Sequence, residues 1–291
     1  MKSIELYHQA LKMFIYIMRE ETNMNTKSHA YEIPNKKTKV FKKFVKHFVD
    51  FYILARIQWG IIRDTWYLIV FMASMFPFTS LFFLKVFNED ASLETITRII
   101  VGNIVFAIVL MGLTSVAQDI SHEKNQGHFI YYASLPISRI TFILSVLLKG
   151  VLSAIPSIII LAIVGQSMYG ITLQFHIGII PVILFGILSC VGVGVLIGFW
   201  SRTPQVAAIC GQVAMMFITF MSPVMVEIES LPSIIQYISY ILPTTYLSEA
   251  LRLLFQGIWS TAVIQDLIVL IVFSLFSILL IIKFIKWRES N

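Results

Sequence analysis

Few residues in this chain have types and spacing that could do chemistry. Gly165 and Gly170 enclose four residues at the G-x4-G spacing of a phosphate loop. Ile171 and Thr172 follow where a lysine must stand to grip the β- and γ-phosphates. Ser167 is followed by Met-Tyr-Gly rather than x-Gly, so a hydrolase nucleophile turn is missing too. His122-Glu123 begins like a zinc-protease helix, yet Gln126 occupies the place of the second histidine. Asp119 and Glu123 form a carboxylate pair at helical spacing with no third ligand near, too few donors for a metal-dependent enzyme at a membrane face. Cys190 and Cys210 lie in apolar runs without a C-x-x-C neighbour and read as small buried residues. Lys149 is the clear ionisable residue inside an apolar stretch, and Asp266 stands at the edge of another. This set cannot hydrolyse ATP or run a hydrolase, so the expectation is a protein that is not an enzyme and binds no metal or cofactor directly.

The composition explains the shortage. Of 291 residues, 57% are hydrophobic and 13% charged, with a mean hydropathy of +0.82. Soluble domains carry roughly 45–50% apolar and about 25% charged residues. The net charge of +6 does not point to nucleic acid, because 12 of the 22 basic residues fall in the first 65 positions. The expected class is an all-α polytopic membrane protein.

A spanning helix needs about 20 mostly apolar residues. Six stretches qualify: 66–87, 99–117, 140–165, 177–200, 206–226 and 263–285. Asn103, Lys149 and Pro156 interrupt the second and third, which neighbouring helices can accommodate. Basic residues set the orientation. With the N-terminus inside, the cytoplasmic side gains the basic N-terminal segment, Lys124, Arg139, Arg202, Lys283, Lys286 and Arg288. The other side has only Lys85, Arg98 and Arg252. Both termini are therefore expected in the cytoplasm of a multi-pass plasma-membrane protein. Residues 13–18, the most apolar run near the start, are too short for a signal-peptide core, so the N-terminus is expected to be retained.

Ahead of the first span, Phe41, Phe44, Val45, Phe48, Tyr52, Ala55, Trp59 and Ile62 recur at helical spacing. Lys39, Lys42, Lys43 and Lys46 fall on the opposite face. This pattern predicts an amphipathic interfacial helix over 38–65, apolar side toward membrane lipids. Residues 1–37 read as a cytoplasmic N-terminal segment and linker, and 66–291 as the six-span domain. Between the fifth and sixth spans, Pro232 and Pro243 bracket an apolar run too short to cross, which predicts a short re-entrant or interfacial helical segment. In the fourth span, Gly194 and Gly198 form a G-x-x-x-G pair suited to close helix packing, within one subunit or between two.

Residues 118–149 form a cytoplasmic connection far longer than joining two spans requires. It carries Glu123, Gly127, Phe129, Tyr131, Tyr132 and Pro136, and predicts a short helix over 123–132 that presents a docking surface. Gly127 would let another backbone approach closely, and Pro136 would end the helix.

These residues carry a resemblance. Glu123-x-x-x-Gly127 followed by Leu135-Pro136-Ile137-Ser138-Arg139 resembles the coupling-helix signature of ABC-2 type transporter permeases, approximately E-x-x-x-G-T-L-E and then T-P-V-S. Ser222-Pro223, Leu231-Pro232, Leu242-Pro243-Thr244-Thr245-Tyr246 and Arg252 are similar to the same family's extracellular S-P, L-P and N-P-L-T-Y…R pattern. His128, Ile130 and Leu242 depart from it. The resemblance covers about residues 40–288. It implies a half-transporter that forms its pathway as a homodimer or with a related permease. Separate cytoplasmic ABC ATPase subunits would bind the ATP and Mg and push on residues 123–132 and on the amphipathic helix. Export of a drug, lipid or other amphiphile is the implied function. An ion-gradient carrier or ion-efflux channel component, and a membrane-embedded lipid-modifying enzyme, are the alternatives.

Overall fold

The computed structural model describes residues 36–87, 92–127, 139–224, 228 and 232–284. These residues are helical apart from short connections, and no strand occurs among them. The helices are α1 (Lys36–Phe87), α2 (Leu93–Val109), α3 (Val116–Asn125), α4 (Arg139–Tyr169), α5 (Ile179–Trp200), α6 (Pro204–Met221), α7 (Ser233–Ser239), α8 (Pro243–Phe255) and α9 (Thr261–Phe284). A π-helical stretch, Leu110–Ser115, joins α2 to α3 without a break. Five helices are long and apolar enough to cross a membrane: Leu93–Asn125, Thr141–Tyr169, Ile179–Trp200, Pro204–Met221 and Thr261–Lys283. They correspond to the second through sixth expected spans. The first expected span lies in the later part of α1, where the structure distinguishes a shorter apolar helix, Pro77–Val86.

By contacts the chain divides into two compact units: Met1–Trp66 with Leu135–Lys149, and Tyr67–Ser134 with Gly150–Asn291. The first unit contributes the start of α1. The helix passes through residue 65 and runs on to Phe87 as one element. The residues buried within the chain are Asp50, Leu54, Gln58 and Ile62, whereas Tyr52 and Trp59 of the expected apolar stripe are exposed. Phe41, Phe44, Phe48, Lys42, Lys43 and Lys46 lie on the same helix, but their side chains fall outside the described residues.

The centre of the second unit is the Leu93–Asn125 rod, 89% buried over its apolar window. Ser92 caps it, its side chain accepting from Thr95 N at 3.2 Å. At about 1.5 Å per residue, 33 residues reach about 50 Å, more than the roughly 30 Å hydrocarbon layer, so the rod must project beyond it. Around the rod, α5 packs against α2, the π stretch, α3, α8 and α9, while α6 packs against α3 and the π stretch. Small residues make this possible. A Cβ on Gly194 would stand 2.6 Å from the carbonyl oxygens of Gly112 and Leu113, and one on Gly198 would stand 2.7 Å from that of Ala117. Both members of the G-x-x-x-G pair are thus spent on backbone contact inside the chain, not on a free face. The outer helices are the reverse: α6 and α9 are only 17% and 22% buried over their apolar windows. They expose Ile209, Val213, Phe217, Val272, Phe276 and Leu279, a surface that suits acyl chains and not water.

Candidate functional site

Two ends of the second unit gather polar side chains. At one, α3 finishes beside the α5–α6 connection. Lys124 donates through Nζ to the carbonyl of Phe199 at 2.8 Å and to that of Ser201 at 3.4 Å, placing a cation on the last carbonyls of α5. Thr203 then caps α6, accepting from Val206 N at 3.3 Å, with Pro204 at the first turn. Three residues, Ser201, Arg202 and Thr203, therefore suffice to reverse the chain.

Glu123 lies in the final turn of α3, half-buried, rather than on a separate helix over 123–132. The run from Gln118 to Asn125 contains no helix breaker, so the preceding span simply continues through it. The helix stops at Gly127, whose φ of +74° lets its N–H reach back to Lys124 O at 3.1 Å. No atom lies within 4 Å of where a Gly127 Cβ would be. Within the chain this glycine therefore serves the turn, not a close approach. Phe129, Tyr131, Tyr132 and Pro136 lie outside the described residues.

At the other end, α7 and α8 form a pair of short helices ahead of α9. Pro232 precedes α7, and Pro243 takes the first position of α8, where its missing N–H costs nothing. Hydroxyls fasten the pair to the end of α6. Thr245 Oγ1 donates to Ser239 O at 2.6 Å and lies 3.1 Å from Ser222 Oγ. A hydroxyl has one proton to give, so Ser222 is the donor to Thr245. The Tyr246 hydroxyl donates to Tyr240 O at 2.8 Å.

Beside these bonds lies a cavity of about 430 Å³. Its charged lining comes from three helices: Glu94 and Arg98 of α2, Glu249 and Arg252 of α8, and Asp266 of α9. Arg252 donates from Nη1 to Glu94 Oε1 at 3.0 Å and from Nε to Glu249 Oε2 at 3.1 Å, and its Nη2 also pairs with Glu249. Arg98 Nη2 reaches the same Glu94 oxygen at 3.4 Å. Both arginine side chains are 16% exposed, against 56% for Glu94 and 45% for Glu249. The guanidinium groups are thus covered and the carboxylates face outward. Asp266 Oδ2 is shut from solvent and has no hydrogen-bond partner among the described residues. Burial first, then the negative charge of Asp266 and the Tyr240 phenol, push Tyr246 above its ordinary value.

Of the residues singled out by sequence, Pro223, Tyr246 and Arg252 come together on this cavity, whereas Pro232 is not in its lining. Sequence reasoning missed Glu94, Arg98 and Glu249. Their signal was present as the pairs Glu94–Arg98 at i, i+4 and Glu249–Arg252 at i, i+3 in a chain with few charges. Among the described residues, no group of three or more His, Cys, Asp or Glu could hold a metal ion. Gly165 and the residues up to Tyr169 are helical in the last turns of α4, which rules out a phosphate-cradling loop there.

No curated protein matches the chain. The family model for the ABC-2 type transporter matches residues 50–255, taking in α2 to α8 and all four residues of the Glu94–Arg98–Glu249–Arg252 network. A match over more than half of the sequence, on a bundle of membrane-length helices without a nucleotide loop of its own, makes this multi-pass membrane protein a member of the ABC-2 type transporter family.

Proposed function

We propose that the chain is the permease subunit of an ATP-driven exporter. Six spans, both termini cytoplasmic, would form half of a pathway that a second copy or a related permease completes. A separate cytoplasmic ABC ATPase would bind the ATP and Mg. The observation that carries this reading is the family match over residues 50–255, in a chain whose one G-x4-G run lacks the phosphate-binding lysine. In this reading, the Leu93–Asn125 rod is the member that transmits force. It is the buried centre of the unit, it runs without interruption from Leu93, and its projecting end carries Glu123 and Lys124. Closure of the ATPase dimer against that end would move the whole rod, and with it Glu94 and Arg98 at the opposite end. An amphiphilic cargo fits the apolar outer helices.

The test is reconstitution of the permease in vesicles with the ATPase that co-purifies with it. ATP should drive uptake of a fluorescent amphiphile into inside-out vesicles, and an ATPase with its catalytic carboxylate removed should abolish that uptake. Uptake driven by an imposed sodium or proton gradient without ATP would overturn the proposal in favour of an ion-coupled carrier. Reporter fusions check the layout. One after Asn291 should read cytoplasmic and one at Gly257 should read outside; the same side for both would rule out six spans.

A further inference from the structure

We propose that the cavity between α2, α8 and α9 binds an organic monocation carrying apolar groups, a substrate class that rests on the exporter reading above. Four observations lead there. The charged lining comprises three carboxylates (Glu94, Glu249 and Asp266) and two guanidinium groups (Arg98 and Arg252), a formal balance of one negative charge. The two arginines are committed to Glu94 and Glu249 and largely covered, so an entering anion would meet carboxylate oxygens first. Asp266 supplies the charge that the network leaves over: its inner oxygen is shut from solvent and has no hydrogen-bond partner among the described residues. A carboxylate held that way on a membrane-length helix points to a ligand or ion.

The rest of the lining decides which cation. Tyr240 and Tyr246 line the same space, and Pro223 and Ile228 add apolar surface. The Tyr246 hydroxyl is engaged with Tyr240 O and its ring lies beside that of Phe273, centroids 6.4 Å apart, so what it can offer a ligand is the part of its ring that Phe273 leaves open. Aromatic faces beside carboxylates attract quaternary and protonated amines, whose charge is spread over apolar groups. A cavity of about 430 Å³ is drug-sized, and the described residues contain no cluster able to hold a metal ion, which argues against a bare inorganic cation. Asp266 also lies beyond the residues matched by the family model, so the family pattern does not account for it.

Equilibrium binding to the purified permease in lipid nanodiscs, without ATPase, tests the site independently of transport. The probe is tetraphenylphosphonium, with the near-isosteric anion tetraphenylborate as its counterpart. The wild-type chain should bind the phosphonium and show no saturable binding of the borate. Asp266→Asn should weaken phosphonium binding at least tenfold, Asp266→Glu should recover most of it, and Asp119→Asn at the far end of the rod should leave it unchanged. Should Asp266→Asn fail to fold, labelling of wild-type Asp266 by dicyclohexylcarbodiimide, mapped by mass spectrometry, takes its place. The phosphonium should slow that labelling and the borate should not. Unchanged affinity in Asp266→Asn, equal binding of the two probes, unprotected labelling, or displacement by sodium but not by choline at equal ionic strength would each overturn the proposal. Failure of ATP-driven uptake with intact phosphonium binding would leave the site standing and remove the exporter reading instead.

Discussion

Glu94 accepts from Arg252 at 3.0 Å, tying the first turn of α2 to the last turn of α8 across 158 residues of sequence. The same carboxylate oxygen takes Arg98 at 3.4 Å, so one exposed glutamate bridges two covered guanidinium groups. Exposed ion pairs contribute little, about 0–1 kcal/mol, but a largely buried arginine that loses its acceptors leaves donors without partners. Arg252→Ala should therefore cost roughly 1–2 kcal/mol, visible as a lower thermal midpoint of the solubilised protein. Arg252→Lys keeps the charge but loses the two-pronged contact with Glu249, and should recover only part of the loss. In a double-mutant cycle with Glu94→Ala the two changes should be non-additive by more than about 0.5 kcal/mol. Additive losses would show that the pair is geometric only.

Glycines on α5 give a second expectation. A Cβ on Gly194 meets two backbone carbonyls at 2.6 Å, whereas one on Gly165 meets the Ile100 side chain, at 2.8 Å from its nearest atom. Backbone within a helix cannot step aside, but an isoleucine has other rotamers. Gly194→Ala should thus lower the yield of monodisperse protein more than Gly165→Ala, with a cost above about 1–3 kcal/mol for the former. Gly194→Leu should fail to fold. Equal behaviour of the two alanine variants would mean that α5 and the π stretch are not in close contact.

Sequence reading reached the elements better than their contacts. Pro232 and Pro243 located α7 and α8 because proline marks helix starts by its own geometry, a local property. The change from amphipathic to wholly apolar composition near residue 65 does not break α1, since it alters a helix's surroundings and not its backbone. The expectation of a separate short helix opening at Glu123 misses the continuous rod for a related reason. Polarity was taken as the end of a helix, but the residues from Gln118 to Asn125 are compatible with one and the rod runs through them. The cavity was the least legible feature. Glu94–Arg98 and Glu249–Arg252 each show as helical pairs, but nothing local says that Glu94 meets Arg252 or that Asp266 of α9 opens on the same space.

The hydroxyl chain at the end of α6 predicts an order of effects. Thr245 both donates to Ser239 O and accepts from Ser222, so Thr245→Val removes two bonds at a buried site and leaves the Ser222 hydroxyl without its acceptor, while Ser239 O keeps the Leu242 N–H at 3.0 Å. Ser222→Ala removes one bond, and Thr245 keeps its own acceptor. Costs of about 2–3 and about 1 kcal/mol are expected respectively, on the basis of about 1 kcal/mol per net hydrogen bond and more for an orphaned group. Proteolysis in the connection between α6 and α8 reports the loosening directly. A larger effect from Ser222→Ala would contradict the donor assignment.

Glu123 separates a role in the fold from a role in coupling. It sits in the last turn of α3, where the helix carries partial negative charge and a carboxylate is disfavoured by about 0.3–1 kcal/mol. Lysine suits the helix end, which offsets part of what this half-buried carboxylate loses with its contact, so Glu123→Lys should still fold, with a thermal midpoint within about 4 °C of wild type. If the projecting end of α3 receives force from an ATPase, the same change should nonetheless release the ATPase or abolish substrate-stimulated hydrolysis, because the sign of the contact is reversed. Gly127→Ala provides the comparison. Its φ of +74° makes any side chain strained at about 1 kcal/mol, and Gly127→Asn should be better tolerated, since asparagine enters this region more readily. A coupling defect in Glu123→Lys with normal stability, beside a mild stability defect in Gly127→Ala, would place the transmission contact on the glutamate. Normal coupling in Glu123→Lys would move it away from α3, and the basic helix at the start of α1 would be the next segment to test.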